Sequence, residues 1–125
     1  MAKKILIVDD EPHIRLLLGR VLEDLEDEGV ELLTASNGAE ALETIAAEKP
    51  QLVFLDVMMH EMSGFNVCQA VKHELGLKDV YIIMLTAKGQ EVDKRKGKKV
   101  GADAYMTKPF DPNEMLAKAK ETLGL

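Results

Sequence analysis

Residues Leu52 to Leu55 form an unbroken apolar run, too short for a helix and without the polar alternation of a half-exposed strand. Such a run fits a central strand covered on both faces, which in turn calls for a parallel sheet with helices on either side. Ile5 to Val8 and Val80 to Leu85 repeat the pattern, so three buried strands are expected. Asp56 follows the Leu52–Leu55 run directly. In an open parallel sheet the carboxyl edge is where ligands bind, which gives Asp56 the position of a reacting group, although an aspartate there can also simply cap a turn.

The chain has 125 residues, 46% of them hydrophobic, which suits one domain spanning residues 1–125 around one core. With 22 acidic against 16 basic residues the formal net charge is -6, which argues against a general nucleic-acid binder and leaves room only for a local basic patch. Cys68 is the single cysteine and sits in a helical pattern, so no disulfide framework exists, a reducing cytoplasmic setting is expected, and its ordinary role is that of a small buried hydrophobe. Met1-Ala-Lys-Lys4 runs straight into an apolar strand, with neither the longer apolar region of a signal peptide nor a spanning segment. A secreted or membrane-embedded protein is not expected.

Taken in order, Ile5–Val8 ends in Asp9-Asp10-Glu11-Pro12, and Pro12 opens a helix whose apolar positions recur through Leu25 until Glu26-Asp27-Glu28-Gly29 stops it. Val30–Ala35 has the mixed pattern of an edge strand, and Asn37-Gly-Ala-Glu40 reads as a capping box for a helix ended by Lys49-Pro50. After Asp56 comes a loop, His60-Glu-Met-Ser-Gly64, with Ser63 as cap for a helix through Leu75 that Gly76 closes. Val80–Leu85 terminates in Thr86-Ala87, and the charged stretch from Gly89 to Val100 calls for a helix by its place between strands. Residues 102–106 make a short last strand before Thr107-Lys108-Pro109-Phe110, and Asp111-Pro-Asn-Glu114 opens a final helix. Five strands alternating with five helices give a doubly wound α/β domain with right-handed crossovers.

Polar groups then collect at the strand ends: Asp9 and Asp10, Asp56, Thr86 and Lys108 should share one edge. Three carboxylates repel one another unless a cation joins them, and an all-oxygen site suits a hard ion such as Mg²⁺. A carboxylate beside such an ion can attack a phosphoryl group while an ammonium and a hydroxyl take up charge on its oxygens. Each residue also has an ordinary role: Asp10 or Thr86 as a helix cap, Lys108 as a solvated lysine.

Through Ile-Leu-Ile-Val-Asp9-Asp10-Glu-Pro, Leu-Asp56-Val-Met-Met, Met-Leu-Thr86-Ala87 and Gly101-Ala-Asp-Ala-Tyr-Met-Thr-Lys108-Pro109-Phe110, the chain resembles the CheY-like receiver domains of two-component response regulators along nearly its whole length. The resemblance implies the sheet order 2-1-3-4-5, the receiver order that general accounts of such sheets already describe. It also implies that Asp56 accepts phosphate from a sensor histidine kinase or phosphotransfer protein, with Mg²⁺ on Asp10, Asp56 and the Met58 carbonyl and Asp9 acting through water. By the same resemblance Lys108 pairs with the phosphoryl group, Thr86 turns inward to it, Tyr105 is the aromatic switch, and the Lys108–Pro109 bond is cis. Residues 89–123 would face a downstream protein partner or a second copy, without direct contact to nucleic acid or membrane. The domain would catalyse only its own phosphorylation and dephosphorylation.

The chain departs from the family pattern at His60, where a proline is usual, so that loop is expected to be less rigid. Two other classes fit parts of the pattern. A flavodoxin-like ligand-binding module shares the sheet, but Asp9-Asp10-Glu11 would repel a flavin phosphate; an aspartyl-nucleophile phosphatase would need a second acid or cap domain after Asp56. The run Lys94-Arg-Lys-Gly-Lys-Lys99 is out of character in an acidic chain: either a solvated helix face or a surface for an acidic partner. At 125 residues no room remains for a DNA-binding output domain, so any output is expected through the domain's own surface.

Overall fold

The computed structural model describes residues 3–87, 91–108 and 110–125, and the side chains of residues 87, 91–94 and 97 are outside that description. The expected cis bond to Pro109 therefore falls outside the described residues. Five parallel strands, β1 (Lys3–Val8), β2 (Val30–Ala35), β3 (Leu52–Asp56), β4 (Tyr81–Ala87) and β5 (Ala104–Lys108), form one sheet in the order β2-β1-β3-β4-β5. The expected topology is thus observed, with β2 at one edge.

Five α-helices, α1 (Pro12–Leu22), α2 (Gly38–Glu48), α3 (Gly64–Gln69), α4 (Glu91–Val100) and α5 (Pro112–Leu123), cover both faces. On one face Leu6, Val8, Val53 and Leu55 pack with Ala41 and Ile45 of α2 and with Val67, Cys68 and Val71. On the other, Ile5, Ile7, Leu52 and Phe54 pack with Leu18 and Leu22 of α1 and Met115, Ala119 and Leu123 of α5. Alternate residues of one strand therefore feed two cores, which is why these runs carry no polar alternation.

β1 and β4 shift from the sequence expectation by one or two residues at their ends, and three other elements depart further. α1 stops at Leu22 and continues as a tight 3₁₀ segment, Glu23–Glu28, before Gly29 turns with φ of 85°. Five acids crowd this segment, where the negative end of the helix dipole disfavours them, so a continued α-helix loses to the tighter turn. The α3 helix likewise covers only part of the expected span; from Ala70 to Glu74 the chain widens to a π-helix, with Leu75 N–H reaching the Ala70 carbonyl at 2.8 Å. The last strand occupies Ala104–Lys108 rather than 102–106. Gly101, with φ of 95°, and the 2.9 Å bond from Asp103 N–H to the Ile82 carbonyl set this register.

The caps explain the helix starts. Ser63 accepts the Asn66 N–H at 3.3 Å and Asn37 accepts the Glu40 N–H at 2.8 Å. Glu40 itself takes the Ser36 hydroxyl at 2.9 Å, so only one half of the expected capping box is formed. Cys68 is buried, its thiol donating to the Val100 carbonyl at 3.5 Å, and burial pushes its pKa up to about 11. It is an inert packing residue, as the sequence suggests.

Candidate functional site

Asp9 follows the end of β1, and its buried carboxylate is fixed twice: Oδ1 accepts the Glu11 N–H at 2.9 Å and Oδ2 accepts from Lys108 Nζ at 3.1 Å. Asp56 ends β3, directly opposite Leu85 of β4, and its Oδ1 accepts from the same Nζ at 3.1 Å. Lys108, at the end of β5, therefore bridges two acids delivered by two other strands. Asp10 is less buried; one ligand oxygen from each of Asp9, Asp10 and Asp56 lies within 4.8 Å of the others. The sheet edge thus brings together the three acids and the lysine named from the sequence.

Neither Asp10 nor any other side chain caps α1: its N-cap is Glu11, without a side-chain bond, which frees Asp10 for the cluster. Met58 donates its N–H to Asp56 Oδ1 at 3.3 Å, and its side chain stands 67% exposed at the rim, so its contribution here is backbone. Thr86 is buried on β4, level with Thr107 of β5, and among the described residues no hydrogen bond joins it to the carboxylates. Tyr105 sits half-buried on β5 beside Met84 and lines a cavity of about 400 Å³ with Arg95, Lys98, Ala102 and Asp103.

Electrostatics follow from this burial. Desolvation, and then the charge of Asp9, hold the Asp56 carboxyl above its ordinary pKa despite Lys108 and the Met58 N–H. Burial works against the Lys108 ammonium, but hydrogen bonds and charges from Asp56 and Asp9 outweigh it and raise its pKa. The Lys108 ammonium therefore does not offset the burial of Asp56 and the repulsion from the Asp9 charge beside it. That residual repulsion, with an all-oxygen donor set, fits a hard divalent cation such as Mg²⁺.

Two supporting residues carry no chemical signal in sequence. Arg15, one turn into α1, donates to the Asp9 carbonyl at 2.6 Å and braces the strand end. Gly64 donates its N–H to the Val57 carbonyl at 2.9 Å, and a Cβ there would lie 2.3 Å from the Asp56 carbonyl oxygen. Gly64 lets α3 start against the backbone that carries Asp56. Gly64→Ala is expected to destabilise the domain by about 2 kcal/mol, because neither backbone can yield cheaply. Urea denaturation measures this; a loss below about 0.5 kcal/mol would show that the loop relaxes freely.

The comparisons with known proteins agree with this geometry. A family model described as the response regulator receiver domain matches residues 5–120. The chain is 46% identical over 123 residues to the alkaline phosphatase synthesis transcriptional regulatory protein PhoP of Bacillus subtilis, covering 98% of this chain and 49% of PhoP. It is 44% identical over 123 residues to the phosphate regulon transcriptional regulatory protein PhoB of Pseudomonas aeruginosa, covering 98% of this chain and 52% of PhoB. The chain thus spans about half the length of the curated relatives it matches. Among solved structures, chemotaxis protein CheY4 of Vibrio cholerae superposes with a TM-score of 0.85 at 34% identity, covering 98% of this chain and 99% of that one. A response regulator from Chloroflexus aurantiacus gives 0.86 at 33% identity with full coverage of both chains. The flavodoxin-like and phosphatase alternatives find no such support, and the match over residues 5–120 together with the shared fold places this chain in the response regulator receiver domain family of two-component signalling.

Proposed function

We propose that residues 1–125 act as one receiver unit that accepts a phosphoryl group on Asp56 from the phosphohistidine of a sensor kinase or phosphotransfer protein. The observation that carries this is the convergence of Asp9, Asp10 and Asp56 within 4.8 Å, beside an ammonium bonded to two of them. Asp10, Asp56 and the Met58 carbonyl would hold Mg²⁺, with Asp9 acting through water. When bound, the ion supplies positive charge against the phosphoryl oxygens.

The chain's own groups do the rest. An Asp56 carboxylate oxygen bonds to phosphorus as the P–N bond to the donor imidazole breaks, and the bonding pair leaves on that nitrogen. Lys108, already placed 3.1 Å from Asp56, then has an anionic phosphoryl oxygen to pair with. Thr86 donates its hydroxyl to the same group, and Tyr105 follows Thr86 inward. Water later cleaves the acyl phosphate to return Asp56 and inorganic phosphate. Such chemistry acts only on the domain itself and makes no turnover enzyme.

The test is intact mass after incubation with acetyl phosphate, with and without Mg²⁺. A gain of one phosphoryl group only with the metal is expected; no gain in either case would overturn the proposal. In thermal melts Mg²⁺ should raise the midpoint of the wild type and less that of Asp10→Ala, since bound metal stabilises by mass action. Equal shifts would remove Asp10 from the ligand set.

For the output side, we propose a protein partner or a second copy at the surface of α4, β5 and α5. Arg95, Lys98 and Lys99 are exposed there, while Lys96 Nζ lies 4.9 Å from the Phe65 ring centroid and is partly used in holding α4 to α3. The transcriptional role in the names of PhoP and PhoB belongs to proteins about twice as long, and direct contact with nucleic acid is not proposed for this acidic domain. Among the described residues no helix is long and apolar enough to cross a membrane; a cytoplasmic placement is proposed from membership of the receiver domain family.

A further inference from the structure

His60 stands at the mouth of the carboxylate cluster. Its backbone N–H donates to Asp10 Oδ2 at 3.3 Å, and its ring Nε2 lies 3.7 Å from that same oxygen, with the side chain 95% exposed. The placement is built by the loop: Met62 N–H closes a three-residue turn onto the His60 carbonyl at 2.7 Å, and Glu61 between them holds φ of 67°. A non-glycine residue at that φ is uncommon. Met62 below is seated on Gly38, where an added Cβ would come within 2.8 Å of the Met62 Cβ. The turn is thereby anchored against α2, and it directs His60 across to Asp10.

Two donors on one small divalent ion lie roughly 3 to 3.5 Å apart, given metal–ligand bonds of about 2.1 Å. The 3.7 Å between Nε2 and Asp10 Oδ2 is close to that spacing; the ring lies outside the group of carboxylate oxygens that fall within 4.8 Å of one another, and being exposed it is free to turn in toward them. An imidazole nitrogen adds little for Mg²⁺, which prefers oxygen, but strengthens a site for borderline first-row ions such as Co²⁺, Ni²⁺ and Zn²⁺.

We infer that His60 is a nitrogen ligand that lets such ions compete with Mg²⁺ at the receiver carboxylates, so that this domain's metal preference depends on a residue outside the acid cluster. The inference rests on the assignment of Asp10 and Asp56 as the metal site. The same loop would also be tied to the acids whenever a borderline ion is bound, whereas with Mg²⁺ the ring stays in solvent.

The test is titration of the full chain with MgCl₂ and with NiCl₂ by calorimetry, comparing wild type, His60→Asn and His13→Asn. His13 is the control because its Nε2 lies 3.3 Å from Glu11 Oε2 and offers another exposed histidine–acid pair nearby. His60→Asn is expected to lower Ni²⁺ affinity roughly tenfold or more while moving Mg²⁺ affinity less than about twofold. In wild type, bound Ni²⁺ should give paramagnetically shifted proton resonances from the His60 ring that the Asn variant lacks. If His60→Asn leaves the Ni²⁺ to Mg²⁺ ratio unchanged, or if His13→Asn removes the Ni²⁺ binding instead, His60 is not the ligand. Absence of Mg²⁺ binding to the wild type would instead overturn the carboxylate metal site itself, and the His60 inference with it.

Discussion

Asp56→Asn is expected to take up no phosphoryl group from acetyl phosphate at any Mg²⁺ concentration, and to melt above the wild type in metal-free buffer at neutral pH. The first effect is the larger. An amide oxygen is no nucleophile toward phosphorus, and the substitution removes one metal donor at nearly constant volume. The second follows from the raised pKa of Asp56, which burial and Asp9 hold above its ordinary 3.8. Between 3.8 and the folded value the native state binds more protons than the unfolded chain, so stability falls as pH rises through that window. At neutral pH the Asp56 carboxyl is therefore a net cost to the fold, which the neutral amide does not impose. The advantage of Asp56→Asn should shrink as pH drops toward 3.8, where the wild-type carboxyl also becomes neutral. Mass spectrometry and melts across pH read the two effects separately. Full phosphorylation of the variant would remove Asp56 as acceptor, and a lower metal-free melting point would show that Lys108 gains more from Asp56 than the acids lose.

Asp103→Ala carries the largest expected loss of stability, about 3 kcal/mol, or on the order of 10 °C in Tm. Lys72 is only 5% exposed, and its ammonium donates to the Lys78 carbonyl at 3.0 Å, the Val80 carbonyl at 2.5 Å and Asp103 Oδ2 at 2.8 Å. The same Asp103 oxygen accepts the Ile82 N–H at 2.8 Å. Removing the carboxylate leaves a buried cation without its counter-charge and strips a strand N–H of its partner, and each is costly in a low-dielectric setting. Two remaining carbonyls and the partial exposure of Asp103 keep the expected loss at the lower end of the usual range for breaking such a pair. Lys72→Met should cost less, because its unbranched stem still fills the space and no charge is left unpaired. Urea denaturation of Asp103→Ala, Lys72→Met and the double variant measures the coupling. A loss below about 1 kcal/mol for Asp103→Ala would mean that water reaches Lys72 freely.

This pair was invisible in the sequence. Lys72 lies in a helical stretch whose lysines ordinarily face solvent, yet Ala70, Val71 and Lys72, where the helix widens to π, are buried in succession. Lys72 falls four residues after buried Cys68 and seven after buried Phe65, so the helical period does put it on the inner face, but nothing local names Asp103 as the counter-charge that makes burying the ammonium tolerable. Gly64 was legible as a loop residue but not as the point where α3 meets the Asp56 carbonyl, because that contact depends on two segments whose separation is set by packing. The β5 boundary was misplaced for a related reason: its pattern of burial is partial along its length, and its register comes from Asp103 and Gly101 rather than from its own hydrophobicity.

What the sequence determined by itself is the set of strands buried on both faces and the residues that follow them. Ile5–Val8, Leu52–Leu55 and Val80–Leu85 read as covered strands, and parallel strands all point the same way, so Asp9, Asp10, Asp56 and Thr86, with Lys108 at the end of the last strand, are expected at one edge. Direction along a parallel sheet is a property of the chain order, which the sequence contains. The tertiary structure decided which of those groups touch: that Lys108 bridges Asp9 and Asp56, that His60 crosses to Asp10, and that Lys72 is drawn inside to Asp103. Contacts of that kind depend on twist, register and loop path over a few ångströms, and they join residues as far apart in the chain as Asp9 and Lys108, beyond the reach of any local periodicity.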